Sequence, residues 1–308
     1  MVREETGMSK EVIADDRAVL PADERWFDIL VYTIAIVIML VVSYPLLFVV
    51  SASFSAPAKV LAGEVWLWPK GITLEAYSNV LHNDKIWRGY GNSILYTFVG
   101  TLINLGMTLL AAYPLSRPDL PLRKGLMLIV TLTMFFSGGL IPTYLLVKDL
   151  GMVDTMWALI IPGAISTYNL IVMRTYFQSS IPWELQEAAH IDGSSNWRLL
   201  LSIILPLSKP ILAVMVLFYA VGHWNSFFNA LIYIRREELY PLQLVLREIL
   251  LISQSDAVDS SVGLEDKILL AESIKYVVII VSSLPVLLMY PFVQRHFVKG
   301  VMIGSIKG

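Results

Sequence analysis

Few residues in this chain of 308 are arranged to make or break covalent bonds. The four histidines, His82, His190, His223 and His296, are scattered without the short spacing that metal ligands use. There is no cysteine, which excludes disulfides and thiolate metal sites. No Gly-x-x-x-x-Gly-Lys-Ser/Thr loop, His-Glu-x-x-His pair or nucleophile elbow occurs. The chain is therefore expected to hold no cofactor and to catalyse nothing alone. The chemistry left to it is noncovalent. Tyr219, His223, Trp224, Asn225 and Asn229 place hydrogen-bonding groups and flat rings within one apolar stretch, the mixture a polyol site requires. Asn104, Tyr144 and Tyr168 are weaker candidates. Tyr219 and His223 share a helical face, with Trp224 and Asn225 less closely aligned. Interhelical hydrogen bonding and packing would use the same side chains, and span-end Tyr and Trp also serve as interface anchors.

A second constellation is the stretch Ile181-Pro182-Trp183-Glu184-Leu185-Gln186-Glu187-Ala188-Ala189-His190-Ile191-Asp192-Gly193. Proline suits a first helical turn, where its missing donor would be unpaired anyway. Glu184 and Glu187 near that start complement the helix dipole. Leu185, Ala188, Ala189 and Asp192 fall at three-to-four spacing, which predicts a narrow face of mostly small side chains. Gly193 ends or turns the helix, and a second helix is expected from Ser194 towards Ile204, before Pro206. This reads as a helix-turn-helix at a membrane surface, shaped to fit a groove on a partner. Periodicity alone leaves a plain amphipathic linker equally open.

The elements that must position these residues are apolar helices. Hydrophobic residues make up 56% of the chain and charged ones only 16%, against about a quarter in soluble domains. Six stretches are long enough to cross a hydrocarbon layer, which takes roughly 20 apolar residues: 29–53, 92–113, 126–147, 156–173, 211–232 and 274–292. Gly138, Gly139 and Pro142 interrupt the third and Pro162 and Gly163 the fourth, so kinked helices are expected. The first stretch is too long for a cleaved signal and is read as retained. Basic residues Arg117, Arg123 and Lys124 put the second-to-third link on the cytoplasmic side. Alternation then puts residues 1–28, the region 181–206 and the tail 295–308 there too. Arg235 and Arg236, at an outer end, run against the rule. Net charge is −2 with no basic block, which gives no support for nucleic-acid binding.

The run Glu187-Ala188-Ala189, three residues, Gly193, nine residues, Ile203, one residue, Leu205-Pro206 resembles the EAA signature of binding-protein-dependent ABC-transporter permeases. The likeness extends to the six-span layout and to the position of the motif between spans four and five. It is closest to the carbohydrate permeases of the maltose second-permease and oligosaccharide type, through Ile191-Asp192 before Gly193, Trp224-Asn225 in span five and the terminal Lys307-Gly308. The resemblance implies an all-α, six-span type I importer permease in a bacterial cytoplasmic (inner) membrane, with both termini cytoplasmic. It implies a second homologous permease, two ATPase subunits carrying ATP and Mg, and an external solute-binding protein. Glu187, Ala188, Ala189, Asp192 and Gly193 would then form the ATPase-coupling elbow: Glu187 for a polar contact, the alanines for close seating, Gly193 for the turn. Lys307 and Gly308 would reach between the ATPases. Sugars or oligosaccharides, uronate-containing ones included, are the implied cargo, with other solutes of importers of this kind as the alternative. An ion-coupled secondary transporter should show internal repeats and a functional intramembrane charge, and neither is evident.

Overall fold

The computed structural model describes residues 22–259, 273–288 and 291, with the backbone alone for 22–25 and 252–259. Every regular element among them is helical. The elements are α1 (Ala22–Ser53), α2 (Pro57–Leu61), α3 (Glu75–Leu81), α4 (Asp84–Ser116), α5 (Arg123–Phe135), α6 (Leu140–Asp149), α7 (Trp157–Ile160), α8 (Thr167–Ser180), α9 (Trp183–Ile191), α10 (Asn196–Leu207), α11 (Lys209–Trp224), α12 (Phe228–Tyr233), α13 (Leu242–Asp259) and α14 (Ser273–Leu288).

Helix α1 is 32 residues long, about 48 Å at the helical rise, and no residue of its most apolar stretch is buried among the described residues, burial beginning only at Ser51. So much uncovered Ile, Leu and Val is stable in lipid or against a partner and not in water. Helix α4, 33 residues, is the organising element. Asn83 caps it by accepting from the Lys85 N–H at 3.0 Å. Its inward face carries Gly89, Ser93, Gly100, Thr101, Asn104, Thr108 and Ala112, small or hydrogen-bonding residues that let other helices approach closely. Helices α8, α11 and α13 pack on it.

Helices α1 and α4 are each long and apolar enough to cross a membrane, and the number rises to four if two bent pairs each count once. The stretch expected as one span over 126–147 is such a pair: α5 and α6 meet at 110°, turning at Gly138-Gly139, where Gly139 has φ +85. Glycine takes that angle without the penalty a Cβ imposes. The second pair is α10 and α11, bent by 83° at Ser208. Residues 156–173 are not continuous either, since α7 stops at Ile160 and α8 begins at Thr167, with Pro162 and Gly163 between. Likewise 211–232 breaks between Trp224 and Phe228, and the described part of 274–292 is α14, 16 residues long. Each break falls at or beside a proline, a glycine or a short polar run, of which proline removes a backbone donor and the others weaken the helix through backbone freedom or competing hydrogen bonds.

Candidate functional site

The elbow at residues 181–206 is two helices joined by a tight turn. Pro182 precedes α9 as its capping residue, one position earlier than a first-turn role. At the other end Gly193 has φ +75. Its N–H donates to the His190 carbonyl at 3.0 Å and the Ser194 N–H reaches back to the Ala189 carbonyl at 2.9 Å. These two bonds make a Schellman motif, which satisfies carbonyls that a helix end leaves open. Ser195 then caps α10 by accepting from the Arg198 N–H at 3.3 Å. The turn therefore closes one helix and opens the next within a few residues.

The face expected to present Leu185, Ala188, Ala189 and Asp192 together is divided. Ala189 and Gln186 point inward, and Ala189 packs with Tyr113, Phe177, Leu199 and Leu200 in the chain's own core. Ala188, Glu187, Leu185 and Asp192 are exposed, and Ile191 is 87% exposed, with Trp197 of α10 also uncovered. Of the two alanines only Ala188 is left at the surface, while Ala189 holds the elbow to the bundle. Ile191, which sequence reasoning used only as part of a signature, is the most prominent apolar group there. The Glu187 carboxylate accepts from the Trp183 indole N–H at 2.7 Å across one helical turn.

Arg117, counted above only as a charge in a link, proves to be a hub. Its guanidinium donates to both Asp119 oxygens at 2.9 and 2.6 Å, to Asn196 Oδ1 at 2.7 Å and to Tyr113 Oη at 3.2 Å. His190 Nε2 lies 3.2 Å away, and the Trp183 ring lies 5.6 Å below the guanidinium carbon. The hydrogen bond to Asp119 holds Arg117 above its ordinary value and, reciprocally, holds the Asp119 carboxyl below the usual carboxylate range.

The candidates on α11, in the break after it and on α12 separate into three groups. Tyr219 and His223 face α4 and the break at residues 161–166. The Tyr219 hydroxyl lies 2.6 Å from Thr108 Oγ1 and accepts from the Ser166 N–H at 3.3 Å. His223 Nε2 lies 3.2 Å from Asn104 Nδ2, which also donates to the Gly163 carbonyl at 3.3 Å. These groups form a polar seam that serves backbone atoms freed by the broken helix. Trp224 faces elsewhere, buried against Tyr90 and donating to the Ser282 carbonyl of α14 at 2.9 Å. Asn225 and Asn229 are exposed, Asn225 donating back to the Val221 carbonyl at 2.9 Å. Tyr168 is exposed and Tyr144 stacks on Tyr233. Lys307 and Gly308 lie outside the described residues. Among the described residues no cluster of His, Asp and Glu could hold a metal ion.

The seam depends on Gly100, because a Cβ there would sit 2.4 Å from His223 Nε2. Gly100→Ala should displace the imidazole from Asn104 at a cost of about 1–3 kcal/mol, read as a lower melting temperature in detergent. His223→Ala in the same chain should restore most of it. A Gly100→Ala chain as stable as the parent would show that the two helices do not meet in this way.

At the other end of the bundle Asp154 fastens the link before α7 to the segment after α12. Its carboxylate accepts from the N–H groups of Arg235 and Arg236 at 2.9 and 3.0 Å and from Arg236 Nε at 3.0 Å. The N–H groups of Arg236 and Arg235, in that order, hold the carboxyl below its ordinary value. Glu237 pairs with Lys85 at 2.7 Å. Arg235 and Arg236, the charges that ran against the orientation rule, are thus part of a structural clasp.

The elbow is thus fastened to the end of a long apolar helix and leaves Glu187, Ala188, Ile191 and Asp192 uncovered among the described residues. The family described as binding-protein-dependent transport system inner membrane component matches this sequence over residues 93–303. The chain belongs to that family. This permease is 44% identical over 264 residues to protein LplC of Bacillus subtilis (strain 168), covering 86% of this chain and 89% of that protein. It is 40% identical over 287 residues to the polygalacturonan/rhamnogalacturonan transport system permease protein YtcP of the same strain, covering 92% and 99%. Among solved structures, a chain of a bacterial ABC transporter involved in the import of the acidic polysaccharide alginate superposes with a TM-score of 0.80 at 33% identity, covering 90% of this permease and 98% of that chain. Permeases of this family are non-catalytic. They work with a second permease, ATPase subunits and a solute-binding protein, as the sequence led us to expect.

Proposed function

We propose that this permease forms half of the membrane path of an ATP-driven importer for oligosaccharides, with acidic, uronate-containing chains as the preferred cargo. The observation that carries the cargo is the near full-length likeness to a chain of an alginate importer, supported by the similarity to a permease named for polygalacturonan and rhamnogalacturonan. In this reading the chain crosses the cytoplasmic membrane six times, using the broken helices as spans, with both termini and the elbow on the cytoplasmic side. The exposed rim of Glu187, Ala188, Ile191 and Asp192 seats in an ATPase subunit, with Gly193 setting the turn and Ala189 anchoring it from within. Residues Lys307 and Gly308 end a tail that touches the ATPases. ATP and Mg are bound by those partners. Nucleotide turnover moves the elbow, and it biases the spans between inward and outward access because the partner binds the two states differently. Asn225 and Asn229, exposed beside the break that ends α11, are the candidates for cargo contact, while Tyr219 and His223 act as structural polar groups.

Proteoliposomes holding both permeases and the ATPases, supplied with the binding protein, should accumulate labelled oligogalacturonate at least about tenfold faster with ATP than without. A neutral oligosaccharide of equal length should compete poorly. Uptake of the neutral sugar alone would refute the cargo, and uptake driven by an ion gradient without ATPases would refute the mechanism.

A further inference from the structure

Helix α4 carries the polar seam in its middle and ends at Ser116, so a push on the elbow reaches the seam only if elbow and helix end move together. The guanidinium of Arg117 touches both. On one side it is held by Tyr113 of α4 and by Asp119, two residues further on. On the other it reaches His190 and the ring of Trp183 on α9, and Asn196 at the start of α10. Its side chain is only 11% exposed, although its partners Asp119, His190 and Asn196 stand at the surface. Guanidinium donates only, so in this contact His190 Nε2 is the acceptor. Both helices of the elbow thus close on one rigid, planar group that is also fastened to the end of α4. A lysine, with a single ammonium point, could not span these partners at once.

We infer that Arg117 is the positioning residue through which displacement of the elbow is passed to α4, and so to the seam. This rests on the reading of the elbow as the seat of an ATPase subunit. It adds the route by which motion leaves that seat: through a side chain from the preceding link as well as along the backbone into α10 and α11. The ion pair with Asp119 keeps the guanidinium oriented, and Asn196 is the contact that follows the elbow. The inference concerns transmission and leaves docking untouched, since the exposed rim around Ile191 lies on the far side of α9 from the buried Ala189.

The test uses the complete importer in proteoliposomes and reads three quantities: ATPase subunits retained per permease, ATP hydrolysed, and cargo imported per ATP. Arg117→Met should retain its ATPases and still hydrolyse ATP. Import per ATP should fall about tenfold, within the range by which residues linking two sites shift their coupling. Arg117→Lys should recover only part of that loss. Asn196→Ala added to Arg117→Met should lower the ratio little further, because both act through one contact. Unchanged import per ATP in an assembled Arg117→Met importer would overturn the inference. So would a loss confined to the amount of complex recovered, with the ratio intact, since that is what a purely structural brace would produce. If Arg117→Met does not assemble, Asn196→Ala alone reads the same ratio, because Asp119 and Tyr113 still hold the guanidinium, and an unchanged ratio there overturns the inference equally. Failure of the docking reading is distinguishable, because it would show as ATPase retention indifferent to changes at Ile191.

Discussion

Ile191→Asp should strip the ATPase from the permease while leaving the permease itself folded. The side chain is 87% exposed and no described residue covers it, so its removal should not disturb the bundle. Seated in a partner, the same isoleucine would bury most of its surface, worth about 1.5–3 kcal/mol. A carboxylate in that seat forfeits the gain and adds an uncompensated charge. Association should therefore weaken by about 100-fold or more, by the usual conversion of about 1.4 kcal/mol per decade. The measurement is the amount of ATPase that co-purifies with a tagged permease, with uptake as a second readout. Ala189→Asp is the instructive contrast. Because Ala189 lies in the chain's own core, that variant should lower the yield of folded permease before docking is ever in question. If Ile191→Asp holds its ATPase as firmly as the parent, the exposed rim is not the seat.

Gly193 supplies the second large effect. Its φ of +75 lies in the left-handed region, and a Cβ built there would meet nothing within 4 Å. Substitution is therefore opposed by backbone conformation alone, about 1–2 kcal/mol for alanine and more for a β-branched side chain. Import should rank Gly193 and Gly193→Asn together at the top, Gly193→Ala lower, and Gly193→Val lowest, down by about tenfold or more. Asparagine tolerates the left-handed region, so it separates two causes. If bare backbone were needed for a partner to approach, Gly193→Asn would fail as badly as Gly193→Val, and the turn geometry would not be the reason.

How much of this could be read from the sequence varies residue by residue. The apolar stretches are visible because lipid demands length and uniform character, and the permease signature is visible because its residues lie within one short run. The turn at Gly193 follows from a local rule, since a glycine after a helical run commonly takes the left-handed conformation. The division between Ala188 and Ala189 is not local. Periodicity places both on one side of a helix, but which of them faces the bundle depends on Leu199, Leu200 and Phe177 arriving from other elements. Trp224 was grouped with Asn225 and turns instead towards Ser282, a partner 58 residues away. Arg117 shows the same limit most plainly: its contact with Asn196 spans 79 residues, and a charge in a short link carries no mark of that. The breaks were partly foreseeable from proline and glycine, Pro206 and Pro210 on either side of Ser208 included, but the angles of 110° and 83° were not, because they depend on what each half packs against.

The gap between α7 and α8 has a bearing on how the molecule can swing. The Gly163 carbonyl is served by Asn104 of α4, and the Ser166 N–H by Tyr219 of α11. Were either helix to slide away alone, one of these peptide groups would lose its partner, at a penalty of about 1–3 kcal/mol wherever water cannot replace it. The three pieces must accordingly travel as one block, which puts the hinges of the cycle at its borders and not inside it.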